Sequence, residues 1–311
     1  MWIIIIAIVL FILWNITLVG YRDKHTEALD VDLSKVFCEE AKSIVLEQNS
    51  KTAILLVHGF PSTPSVYKYS SEKFFQAGMD VYAPLLPGFG TDPIAFADTT
   101  FTQWFAYLCK YYENLRSSYE TLYVLGISMG GAMTLKLGET YCNTEKAPDA
   151  LVSIAAPVAY NSLIRDGIVS DYKQYFARTL ALFKAQINAH IVQGNPKGDD
   201  GSEYWYGYGG IFIRAGLSLV HAMKQIRKEL PKITCPLLSI HDVNDGVVPF
   251  KNQAIIKAGQ KSCRFKDIQT NMEKHKHPRH ALLLYRSIQG ELTQTIIDFL
   301  QEKEDEADAQ A

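Results

Sequence analysis

Five short stretches of this chain are apolar throughout instead of alternating apolar with polar. They are TAILLVHG (Thr52 to Gly59), MDVYAPLLPGFG (Met79 to Gly90), TLYVLGIS (Thr121 to Ser128), ALVSIAAPV (Ala150 to Val158) and CPLLSIHD (Cys235 to Asp242). A strand of that kind has no face to give to water, so it must be covered on both sides. Helical apolar spacing fills the intervals, over Ser65 to Ala77, Thr102 to Ser117 and Gly130 to Glu139, with a last helix from Ala281 to Gln301. Strands alternating with helices predict right-handed crossovers and a mostly parallel central sheet with helices on both faces. The expected fold class is therefore α/β.

One connection is out of proportion. Ala159 to Pro231 is far longer than the dozen or so residues a crossover requires. Its middle, GNPKGDDGSEYWYGYGG, is rich in glycine and charge and then in aromatics. A segment of that length in a compact domain is usually a functional insertion. It is read as a cap over residues 159–231, above the carboxyl ends of the strands, where open α/β sheets bind ligands. The aromatic run EYWYGYGGIF suits either an apolar wall for a ligand or the cap's own core.

Within this frame GISMGG, Gly126 to Gly131, stands between a strand and a helix. Small residues on both sides of a serine are what a sharp strand-to-helix turn requires if the hydroxyl is to project above the sheet. The helix that follows favours negative charge at its amino end. Ser128 is thus the candidate nucleophile. A hydroxyl needs a base, and of eight histidines His280 stands directly before the last helical stretch, with His277 as the second choice. The orienting acid is expected after the strand LLSIHD, where Asp245 opens Asp-Gly-Val-Val-Pro. Asp242, at the strand end, reads as a turn or capping residue. Two backbone N–H groups should face the developing oxyanion. One is that of Met129, directly after the serine, and the other that of Phe60, in the loop after His58 and Gly59.

The segments HGF, PLLPGFG, GISMGG, ITCPLLSIHDVNDGVVP and RHALLL occur in the order found in the α/β-hydrolase superfamily. From about Thr52 to Leu300 the chain resembles bacterial carboxylesterases and monoacylglycerol lipases. The resemblance implies an α/β-hydrolase fold with a helical cap, and a triad at Ser128, Asp245 and His280. It also implies oxyanion N–H groups from Phe60 and Met129, and no metal or organic cofactor. The implied activity is cleavage of carboxylic esters, short- to medium-chain acyl esters or monoacylglycerols, through an acyl-enzyme. Acyl-ACP methyl ester esterases share these features and stay open, as does an inactive hydrolase-fold binding protein. Two positions depart from the family's pattern: Arg279, where glycine or serine usually precedes the histidine, and Asp242, where a small residue is usual.

Composition narrows the partners. A formal charge of −2 offers no basic face for nucleic acid. The five cysteines, Cys38, Cys109, Cys142, Cys235 and Cys263, form no CxxC pair, which speaks against a zinc site or a disulfide framework. The amino end is the exception to an ordinary composition. Trp2 to Val19 carries no charge, and as a helix would span roughly 27 Å against a bilayer core of ~30 Å. Residues 1–21 are therefore expected to form a single-pass membrane anchor, a membrane localisation that would hold the active site near lipid-derived esters. Arg22, Lys24 and Lys35 follow it, which by the positive-inside rule places the catalytic domain in the cytoplasm. Residues 22–50 read as a juxtamembrane linker with a leading strand, 51–301 as the hydrolase domain, and 302–311 as a charged tail.

Overall fold

The computed structural model describes residues 2–159, 175–273 and 278–302. In chain order the elements begin with α1 (Trp2–Thr17), β1 (Ile44–Leu46), β2 (Thr52–Val57), α2 (Lys68–Gln76) and β3 (Asp80–Ala83). There follow α3 (Pro93–Phe96), α4 (Phe101–Ser118), β4 (Thr121–Ile127), α5 (Met129–Tyr141) and β5 (Ala150–Ile154). The cap contributes α6 (Ala177–Phe183), β6 (Gln186–Val192), β7 (Gly207–Phe212) and α7 (Ile213–Glu229). The chain closes with β8 (Leu237–Asp242), α8 (Lys251–Gly259), β9 (Phe265–Thr270) and α9 (Gln289–Gln301).

Seven strands form one sheet in the order β1-β3-β2-β4-β5-β8-β9, parallel except for β1, which runs antiparallel to β3. Every residue of β3 and β5 is buried, as is β2 beyond Thr52, and this is why these strands read as unbroken apolar runs. Alternate residues feed separate cores. Ala53, Leu55 and Val57 pack into the cluster that holds Trp104 and Met133, while Ile54 and Leu56 pack with Phe74 and Phe299 on the opposite face. A one-residue slip of β2 would exchange the two sets. Helix α4 starts at a capping box, in which Thr100 Oγ1 accepts from Gln103 N and Gln103 Oε1 from Thr100 N.

The cap is not helical throughout. Its described part also contains an antiparallel pair, β6 with β7. The aromatic run divides between packing and a cavity wall. Tyr208 is buried, accepts from Thr91 N at 2.6 Å and donates to Gly88 O at 2.9 Å, which ties β7 to the loop after β3. Phe212, by contrast, lines a cavity. The last helix is shorter than its spacing suggested. Leu282, Leu283 and Leu284 are all buried in a single 3-10 turn, so α9 begins only at Gln289.

The membrane span expected over Trp2 to Val19 does not form, and the membrane localisation and topology built on it fall with it. Helix α1 has 16 residues, about 24 Å at ~1.5 Å each, and no helix among the described residues is long and apolar enough to cross a membrane. The reason lies in its last turn. Asn15 is 1% exposed and bonds to Thr179 of the cap, and the helix gives way at Leu18, whose φ is +53°. Those residues pack against protein.

Candidate active site

Ser128 sits between β4 and α5 with φ +58° and ψ −123°, a region that side chains rarely adopt and that costs ~1–3 kcal/mol. Its N–H donates to Ile154 O of β5 at 2.8 Å, so the neighbouring strand holds the strained turn from below. The flanking glycines are a steric necessity. A Cβ on Gly126 would stand 2.1 Å from Gly130 O, and one on Gly130 only 1.8 Å from Val57 O. Tyr67 is a second brace. Its hydroxyl donates to Val57 O at 2.6 Å and accepts from Ile127 N at 3.1 Å, joining β2 to β4 under the serine.

The loop after β2 carries Phe60 past this turn. His58 fixes the loop: Nδ1 donates to Gly59 O at 3.1 Å, and Nε2 accepts from Leu86 N at 3.1 Å. Burial drives the His58 pKa down to about 4, against a smaller upward pull from the Gly59 carbonyl, so the ring is a neutral strut. The Phe60 ring packs among Phe89, Phe96, Trp104 and Phe212. Met129 is buried as the first residue of α5. Among the described residues, no hydrogen bond takes up the Phe60 or Met129 N–H.

Asp245 lies in the loop beyond β8 with its carboxylate fully covered. Oδ1 accepts from Val247 N at 2.8 Å and Val248 N at 2.9 Å, and Oδ2 meets His280 Nδ1 at 2.7 Å. Burial alone would raise its pKa. The bonds from His241 and His280, the His280 charge and the Val247 amide reverse that and bring it to about 2. A carboxylate only accepts, so His280 carries its proton on Nδ1 and presents Nε2 as the basic nitrogen. Tyr285 Oη accepts from His280 N at 3.1 Å and fixes the histidine backbone.

Ser128 lines a cavity of about 510 Å³ together with Phe60, Phe212, Val247 and Val248. The Val247 and Val248 amides are those that hold Asp245, so the two halves of the site share a wall. Among the described residues no hydrogen bond joins Ser128 Oγ to His280; such bonds often tighten only with substrate in place. His277, the second choice for the base, lies outside the described residues. Asp242 is engaged elsewhere: Oδ2 accepts from Thr270 Oγ1 and Met272 N, and Oδ1 from Asn244 N. Arg279 has φ +54°, which explains why glycine suits the position before the histidine.

Sequence reasoning missed His241 and Tyr67. His241 Nε2 lies 3.0 Å from Val248 O and 3.3 Å from Asp245 Oδ2. In the sequence it is one more residue of the LLSIHD strand. Tyr67 sits in a helical stretch with nothing to distinguish it from the other tyrosines.

A sharp strand–serine–helix turn at the centre of a mostly parallel sheet, under an inserted cap, is the architecture of the α/β-hydrolases, and this chain is one of the lipase and esterase type. Within that class it belongs to the serine aminopeptidase S33 family (Hydrolase_4), whose family model matches residues 48–281. It is 31% identical over 220 residues to the thermostable monoacylglycerol lipase of Bacillus sp. strain H-257, covering 68% of this chain and 78% of that one. The fold is similar to that of the metagenome-derived lipolytic enzymes LipS and LipT, with a TM-score of 0.69 and 22% identity, covering 85% of this chain and 99% of that one. It is likewise similar to a Paleococcus ferrophilus monoacylglycerol lipase, with a TM-score of 0.65 and 17% identity over 83% and 97% of the two chains.

Proposed function

We propose that the protein hydrolyses carboxylic esters with an apolar acyl chain, monoacylglycerols or medium-chain acyl esters, through an acyl-enzyme on Ser128. The observation that carries this reading is the placement of Ser128 in an apolar cavity walled by the residues that hold Asp245. Ser128 Oγ attacks the ester carbonyl as His280 Nε2 takes its proton. The tetrahedral oxyanion rests on the N–H groups of Phe60 and Met129, each worth ~10²–10³ in rate. His280 then protonates the leaving alcohol, and the acyl group stays on Ser128. Water enters, gives its proton to the same nitrogen and releases the acid. Asp245 keeps the imidazole in the required tautomer and stabilises its charged form.

The family's name raises aminopeptidase activity, and the cavity speaks against it. Its described lining is apolar apart from Asn15 and Ser128 and includes no carboxylate to pair with a peptide's α-ammonium group. The test is hydrolysis of p-nitrophenyl esters of graded chain length beside aminoacyl p-nitroanilides. Turnover of the esters that disappears in Ser128→Ala is the expected result. Faster turnover of the anilides, or ester turnover untouched by Ser128→Ala, overturns the proposal.

A further inference from the structure

Helix α1 ends in the wall of the same cavity: Asn15, Ile16 and Leu18 line it along with Ser128. This segment is fastened in place. Asn15 Nδ2 donates to Thr179 Oγ1 at 3.1 Å and its Oδ1 accepts from Thr179 N at 3.0 Å. The carbonyls at the helix's carboxyl end are taken by two cations of the cap. Lys224 Nζ donates to Ile16 O and Thr17 O, at 3.1 and 2.6 Å, and Arg178 to Trp14 O and Val19 O, at 3.1 and 2.8 Å. The Arg178 guanidinium also stacks 4.3 Å over the Trp14 ring. Leu18 turns out of the helix and packs, 4% exposed, against Ile213 and Leu217 of α7. With the amide buried and the carbonyls capped by cations, Ile16 and Leu18 are the apolar residues of the segment that line the cavity, and Ile16, the less buried of the two, is the one that can be replaced.

We infer that residues 15–18 form a wall of the acyl-chain pocket and that the bulk of Ile16 sets how long a chain the enzyme accepts. The inference rests on the proposed ester hydrolysis at Ser128. It makes the amino-terminal segment a determinant of specificity, although that segment lies outside the span matched by the family model.

The test compares kcat/KM of the full chain for p-nitrophenyl acetate and p-nitrophenyl octanoate. Ile16→Trp should lower the octanoate-to-acetate ratio by about tenfold or more, since one methylene in an apolar pocket shifts discrimination by about 10–200-fold. Ile16→Ala should move the chain-length optimum toward laurate. Ile4→Ala, on the solvent-facing side of the same helix at 65% exposure, should leave the ratio where it is. A ratio that stays within about twofold in both Ile16 variants while the parent hydrolyses both esters overturns the inference and leaves the ester reading intact. A parent that turns over neither ester overturns the reading itself, and the inference with it. Should Ile16→Trp fail to fold, Ile16→Ala decides alone.

Discussion

The floor and the roof of the cavity are built on different principles. The floor, from β2 through the Ser128 turn to β5, is held by backbone hydrogen bonds and by contacts so close that a methyl group at Gly126 or Gly130 would collide with a main-chain carbonyl. In the roof, made of α1, α6, β6, β7 and α7, β6 and β7 pair through their backbones, but side chains fasten the parts to one another and to the loop after β3: Arg178, Lys224, Asn15 and Tyr208. The two meet where β7 pairs with the loop after β2, through a bridge of Ser62 with Gly207 and a bond from Tyr208 N to Pro61 O at 3.1 Å. A floor of that kind admits almost no substitution, and a roof of this kind can change residue by residue while the chemistry below stays put. On the proposed function, reaction type belongs to the floor and substrate choice to the roof.

Substitutions can break or sharpen this contrast. The largest effect is expected at the floor, where Ser128→Ala should lower kcat by about 10⁶ if serine and base act as a unit. His280→Ala should cost about as much and His277→Ala little; steady-state kinetics with the two exchanged would move the base to His277. Asp245→Asn should follow, at about 10⁴ in kcat, through loss of the tautomer that leaves Nε2 basic. The same variant carries a stability prediction. The Asp245 carboxyl has a folded pKa of about 2 against an ordinary 3.8, so protons bind the unfolded chain first. Its stabilisation, about 2 kcal/mol, is complete above pH ~4 and lost as the pH falls to ~2. Urea midpoints measured across that window should fall in the parent and show a smaller fall in Asp245→Asn. Tyr67→Phe removes a buried hydroxyl that bonds Val57 O and Ile127 N, and should cost about 1–3 kcal/mol in urea unfolding. The smallest effect should come from the roof. Tyr208→Phe should change KM by a few-fold with kcat nearly constant, by loosening the tie to Thr91 and Gly88. A kcat loss there as large as at Asp245 would erase the distinction between floor and roof.

The same contrast explains what could be read from the amino-acid sequence. The floor is written in local rules. Doubly buried strands appear as continuous apolar runs, and the crowding at Ser128 shows as glycines at fixed spacing. Asp245 and His280 follow from chain order and meet at 2.7 Å. The roof is written in contacts between distant residues. That Asn15 would bond Thr179, or Lys224 the end of α1, has no local signature, so an uncharged helix whose last turn is fastened to the cap read as a membrane span. The β6–β7 pair was hidden for a similar reason, since β6 is half-exposed and shows no apolar run. His241 and Tyr67 brace the site through hydrogen bonds to distant backbone groups that no spacing announces.

The most direct test of Ser128 as the nucleophile is intact-protein and peptide mass spectrometry after treatment with a fluorophosphonate. One adduct, on the peptide containing Ser128 and absent in Ser128→Ala, is the predicted result. A folded protein that takes up no adduct, or takes it up on another residue, would contradict it.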